Sequence, residues 1–133
     1  MRRLARLYAS GPASVRDARC FAWAYVAERV TGELAHSVEL VVSELCTNAV
    51  EHTASGEPGG WFVLELEMHP DHVRVAVIDK GTTAKVPALD PAAGLDAESG
   101  RGLYIVQALS KAWGSELVLM GRRVWADVVG EMA

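Results

Sequence analysis

Residues 43–53 read Ser-Glu-Leu-Cys-Thr-Asn-Ala-Val-Glu-His-Thr, and they close a stretch in which Val38, Val41, Val42, Leu45 and Ala49 recur at helical spacing. That spacing predicts an amphipathic helix from Glu33 to about Thr53, with Glu44, Asn48 and Glu51 along the border of its apolar face. Glu44 and Asn48 stand four apart, so their side chains project from the same side one turn from each other. A glutamate there can act as a base toward a water or a hydroxyl. An asparagine carbonyl is a hard oxygen suited to Mg²⁺, which takes few protein ligands and lets substrate phosphates supply the rest. The same letters also describe a solvated helix face, so this pair alone does not decide the function.

Downstream, Ser55, Gly56, Pro58, Gly59 and Gly60 make a turn-rich break, and Trp61 to Met68 alternates apolar with acidic residues as a strand does. His69, Pro70 and Asp71 form a tight connection to Val73, Val75, Val77 and Ile78, a β-branched run that predicts an antiparallel partner ending at Asp79. In the segment AVIDKGT (Ala76 to Thr82), Asp79 sits at the strand terminus and Gly81 leaves room for a close ligand. Buried, this carboxylate can accept from an adenine amino group; otherwise it serves the turn. Lys80 to Gly100 has little periodicity and carries Gly81, Pro87, Pro91 and Gly94, so it reads as a mobile lid that orders on ligand binding.

In SGRGLYIVQALS (Ser99 to Ser110), Gly100-Arg101-Gly102 opens a third expected helix, Leu103 to about Trp113. The amides and the positive dipole end of a helix start can cradle phosphate, although a flexible helix entry would use the same glycines. Neither a GxxxxGK[ST] loop nor a strand–GxGxxG–helix unit is present, which excludes those two nucleotide-binding classes. Ser115 to Met120 and Arg123 to Val129 then read as two strands around Gly121. Upstream, Leu4 to Ala9 is an expected edge strand closed by Gly11 and Pro12. Ser14 is the expected N-cap of a helix patterned by Val15, Ala18, Phe21, Ala22, Tyr25 and Val26 and stopped by Thr31 and Gly32. The element order predicts an α+β two-layer sandwich, a mostly antiparallel mixed sheet covered on one face by three helices.

A chain of 133 residues, 50% hydrophobic and 23% charged, is expected to form one domain, 1–133. A formal charge of −4 opposes a function built on neutralising nucleic-acid phosphates. Cys20 and Cys46 lack CxxC spacing and a histidine cluster, so they read as reduced, half-buried thiols rather than a zinc site or a disulfide. No stretch reaches the ~20 apolar residues of a membrane span, and the start of the chain does not read as an export signal, so a cytoplasmic protein is expected. Trp23, Trp61, Trp113 and Trp125 are expected in the core, and an exposed one would mark a partner surface.

Taken together, SELCTNAVEHT, AVIDKGT and SGRGLYIVQALS, in that order and spacing, resemble the GHKL superfamily of ATPases built on the Bergerat fold. The ending GRRVWADV looks like the stand-alone anti-sigma-factor serine/threonine kinases within it. The resemblance covers roughly Ser14 to Val129. It implies that Glu44 is the catalytic base, that Asn48 holds Mg²⁺ against the phosphates of ATP, and that Asp79 reads the adenine amino group with Gly81 giving room beside it. It further implies that Gly100, Gly102 and the amide of Leu103 receive the phosphates, and that Arg101 meets the terminal phosphate or an incoming partner. His52 would bind phosphate or simply cap its helix.

The activity so implied is ATP- and Mg²⁺-dependent phosphorylation of a serine on a STAS-type anti-anti-sigma partner by a protein that also sequesters a sigma factor. The competing reading is a regulatory module that binds its partner without catalysis. Two departures from the family pattern bear on that choice. Thr83 replaces a second glycine after the Asp-x-Gly segment, and Arg123 aligns where relatives carry a threonine beside the adenine-binding aspartate. Small members of such families commonly pair, but no heptad or clear apolar stripe here demands a homodimer.

Overall fold

The computed structural model describes residues 2–52, 59–80, 98–119 and 121–131, without the side chains of residues 52 and 98–102. In chain order the elements are β1 (Arg2–Ala9), α1 (Pro12–Val26), α2 (Gly32–His52), β2 (Trp61–Met68), β3 (Val73–Asp79), α3 (Glu98–Leu109), β4 (Ser110–Val118) and β5 (Gly121–Val128). The five strands form one sheet in the order β1-β2-β3-β5-β4, and all four pairings are antiparallel. This is the α+β sandwich the sequence predicts, with β1 at an edge.

Strand alternation divides the sheet into two unlike faces. Phe62, Leu64 and Leu66 of β2, Val73, Val75 and Val77 of β3, and Val124, Ala126 and Val128 of β5 point to the helices. There they share one core with Ala18, Ala22 and Val26 of α1, Leu34, Val38, Val41, Val42, Leu45 and Ala49 of α2, and Val106 of α3. The acidic residues interleaved in β2 are explained by the opposite face, where cross-strand ion pairs tie the strands together. Arg74 donates to Asp127 through Nε at 2.6 Å and Nη2 at 3.0 Å, and Arg123 donates to Glu65 at 3.0 Å and to Glu116 at 2.9 Å. Arg74 also lies over the Trp125 ring, 4.4 Å from its centroid.

Several boundaries differ from the sequence reading, each for a local reason. Gly11 precedes α1 and Pro12 opens it, its fixed φ suiting the first turn, so Ser14 lies inside the helix and its hydroxyl donates to the Ala9 carbonyl. The helix stops at Val26, five residues before Thr31: the Arg29 amide turns to the Val26 carbonyl at 2.9 Å, and the Arg29 side chain lies over Tyr25 and donates to its carbonyl. Thr31 instead starts α2, its Oγ1 accepting from the Leu34 amide at 3.2 Å as an N-cap does. The third helix is described over Glu98–Leu109 and ends four residues short of Trp113, because pairing with β5 takes over at Ser110. The Val129 amide donates to the Leu109 carbonyl and closes that end.

Cys46 is fully buried and Cys20 exposed, so neither is half-buried as expected; both are free thiols, and burial pushes the Cys46 thiol far up. Of the tryptophans, Trp61, Trp113 and Trp125 are partly covered, whereas Trp23 on α1 is 40% exposed. Among the described residues no helix is long and apolar enough to cross a membrane.

Candidate functional site

Glu44 and Asn48 lie on α2, Asp79 on β3, and Gly100, Arg101, Gly102 and Leu103 on α3. α2 packs across β2, β3 and β5 and also against α3, so the helix carrying Glu44 and Asn48 touches both the strand ending at Asp79 and the helix containing Gly100 to Leu103. Within α2, Leu45, Cys46 and Ala49 are buried in the core while Glu44 and Asn48 remain partly exposed. The apolar side of the helix thus fixes its rotation, and the carboxylate and amide are left at the rim, where a ligand can reach them.

Asp79 is only 4% exposed, at the end of β3 and on the helix-covered face. The register runs Tyr8–Phe62–Asp79–Arg122–Leu117 across all five strands, so Asp79 is flanked by an aromatic residue and a guanidinium on the same face. Tyr8 and Phe62 stack with ring centroids 5.4 Å apart, an apolar wall to one side of the carboxylate. On the other side the row ends in Leu117, 77% exposed at the sheet margin. A carboxylate buried on such a floor can recognise a hydrogen-bond donor on a flat, apolar ligand.

Helix α3 supplies the third part. Its described residues open at Glu98 and include Gly100, Arg101, Gly102 and Leu103, and the Leu103 side chain is buried. Gly81, Thr83 and the greater part of the expected Lys80–Gly100 lid lie outside the described residues, as do the side chains of Arg101 and His52.

One sequence expectation fails. Arg123 does not stand beside Asp79: it pairs with Ile78 on the opposite face, where Glu65 and Glu116 hold its guanidinium. The β5 residue in register with Asp79 is Arg122, whose Nη1 donates to Ser115 Oγ at 3.3 Å. Counting back by twos from the inward Val128, Ala126 and Val124 reaches Arg122, so period-two alternation was the available signal. Among the described residues no group of three or more His, Cys, Asp or Glu side chains could hold a metal ion.

Comparison with known proteins adds to this geometry. The serine-protein kinase RsbW of Listeria innocua is 33% identical over 86 residues, covering 58% of this chain and 55% of that protein. RsbW of Bacillus pumilus is 36% identical over 83 residues, covering 54% of this chain and 51% of that protein. An uncharacterised protein of Streptomyces coelicolor is 35% identical over 92 residues, covering 68% of this chain and 83% of its own length. The chain spans about half the length of the RsbW kinases it matches. The sequence profile of the histidine kinase-like ATPase domain matches residues 8–124, from the end of β1 into β5 and through every element that carries a candidate residue. Together with the antiparallel α+β sandwich, that match means that the chain belongs to the histidine kinase-like ATPase domain family.

Proposed function

We propose that this protein is an ATP- and Mg²⁺-dependent serine protein kinase of the partner-switching type, which phosphorylates a STAS-type anti-anti-sigma protein and holds a sigma factor inactive. The observation that supports the reading is the packing of α2, the helix of Glu44 and Asn48, against both β3, which ends at the buried Asp79, and α3, which contains Gly100, Gly102 and Leu103. The likeness to RsbW serine-protein kinases supports the reaction class. Phosphoryl transfer is mainly a matter of positioning and charge neutralisation, and that is what such a constellation offers.

In this reading Asp79 accepts from the adenine amino group with Gly81 giving room beside it, Gly100, Gly102 and the Leu103 amide receive the phosphates, and Arg101 meets the terminal phosphate or an incoming partner. Asn48 offers its carbonyl oxygen to Mg²⁺, which when bound neutralises phosphate charge. Glu44 accepts the proton of the attacking serine hydroxyl as its oxygen bonds to the terminal phosphorus and the bond to the leaving ADP oxygen breaks. The added charge on the phosphorylated partner then weakens its contact and frees this protein for the sigma factor. The domain acts as one unit, 1–133, in the cytoplasm.

The non-catalytic alternative rested in part on Arg123 intruding beside the base, and Arg123 faces away from Asp79. The test is transfer from γ-labelled ATP to a purified STAS-type partner by wild type and by Glu44→Ala. The reading expects label on the partner's serine with wild type, a fall of at least about 100-fold with Glu44→Ala, the usual scale for a general base, and unchanged partner binding. Partner binding without transfer in the wild type would establish the non-catalytic module instead.

A further inference from the structure

Gly121, the first residue of β5, lies against the backbone at the end of β3. A Cβ built on it would fall 1.8 Å from the Asp79 carbonyl oxygen, 2.9 Å from the Asp79 carbonyl carbon and 3.0 Å from the Lys80 carbonyl carbon. Those atoms are main chain and cannot swing away as a side-chain tip can. Its φ of +157° is also one that residues with a side chain rarely adopt. Gly114, in the neighbouring strand of the same hairpin, differs: its Cβ would come nearest to the Trp125 side chain, at 3.2 Å, on the face away from Asp79.

We infer that Gly121 is a positioning residue for ligand recognition: by letting β5 close onto the last peptide of β3, it sets the place of the Asp79 carboxylate on the site floor. The inference rests on the proposed reading of Asp79 as the adenine-binding group. It assigns a role in the site to the first residue of β5, which precedes Arg122, the residue in register with Asp79. A side chain at position 121 must push the Asp79 peptide aside, and a displacement of an ångström is enough to spoil a hydrogen bond to a rigid base.

The experiment is calorimetric titration with Mg·ATP of wild type, Gly121→Ala, Asp79→Ala, the double variant and Gly114→Ala. Gly121→Ala is expected to weaken ATP binding about tenfold or more, the loss of one well-made hydrogen bond. In the Asp79→Ala background the same change should cost less than about twofold, because the group it positions is gone. Gly114→Ala should leave affinity within about twofold of wild type, as befits a site on the other face. Equal losses in both backgrounds would mean that Gly121 acts only on the fold, and no loss would mean that it does nothing to the site; either overturns the inference.

Where Gly121→Ala does not fold at 25 °C, hydrogen exchange of the wild type decides. Mg·ATP should slow exchange at the paired Asp79 and Arg122 amides, and unchanged exchange there would overturn the inference. A wild type that binds no ATP at all overturns the underlying site reading, which separates the two failures.

Discussion

Glu65 sits almost buried on the sheet face away from the helices, with Arg3 at 3.2 Å and Arg123 at 3.0 Å. Truncating Arg123 leaves this carboxylate with Arg3, itself half exposed, so Arg123→Ala should lower stability by about 1–2 kcal/mol, read by thermal or urea unfolding. Its ATP affinity should be unchanged, because the side chain lies on the face opposite Asp79; a large loss of affinity would place it back in the site. Asp127 gives a second test. The Arg74 guanidinium holds its carboxyl below the usual carboxylate range. A folded-state value below the unfolded one of about 3.9 stabilises the fold above that pH, and the contribution disappears as pH falls through the folded value. Asp71, hydrogen-bonded by His72 and Lys111, is held at about 2 and titrates in the same direction. Stability should therefore decline on acidification below about pH 4, and Asp127→Asn should flatten that decline. An acid limb identical to wild type would contradict it.

At the scale of elements, the amphipathic repeat of α2 and the alternation of β2, β3 and β5 were legible because each buries one face, and burial writes its period into the sequence. Boundaries were less legible where tertiary contacts set them. Leu109 and Trp113 stand at helical spacing, yet Trp113 pairs with Ala126 of β5, and the ladder wins over the local pattern. Thr31 read as the end of α1 and proved to be the cap of α2, since a threonine hydroxyl serves either a turn or a helix start. Thr31→Ala should accordingly cost about 1 kcal/mol in unfolding, the scale of an N-cap. The candidate site followed the same division. Glu44, Asn48 and Asp79 were legible as residue types at a spacing, whereas the neighbourhood of Arg122 and the close contact of Gly121 depend on strand register, which no single segment encodes.

For the whole molecule, the sheet separates two tasks. Its helix-covered face combines the apolar core with the row that includes Asp79, the proposed adenine-binding residue, and its other face is tied by arginine–carboxylate pairs across the strands. α2 spans the sheet and meets α3, so damage to its buried side should loosen fold and site together, while changes at its rim should affect the site alone. Leu45→Ala is expected to cost about 2–5 kcal/mol in unfolding, and Asn48→Ala little. The central claim is that Asp79 and Asn48 belong to one Mg·ATP site. The most direct measurement is calorimetric titration of the wild type with ATP, with and without Mg²⁺, repeated on Asp79→Asn and Asn48→Ala after each is shown to be folded. The account predicts Mg²⁺-dependent binding in the wild type, weakened about tenfold or more by Asp79→Asn and made independent of Mg²⁺ by Asn48→Ala. Binding that neither substitution changes, or no binding by the wild type, would contradict it.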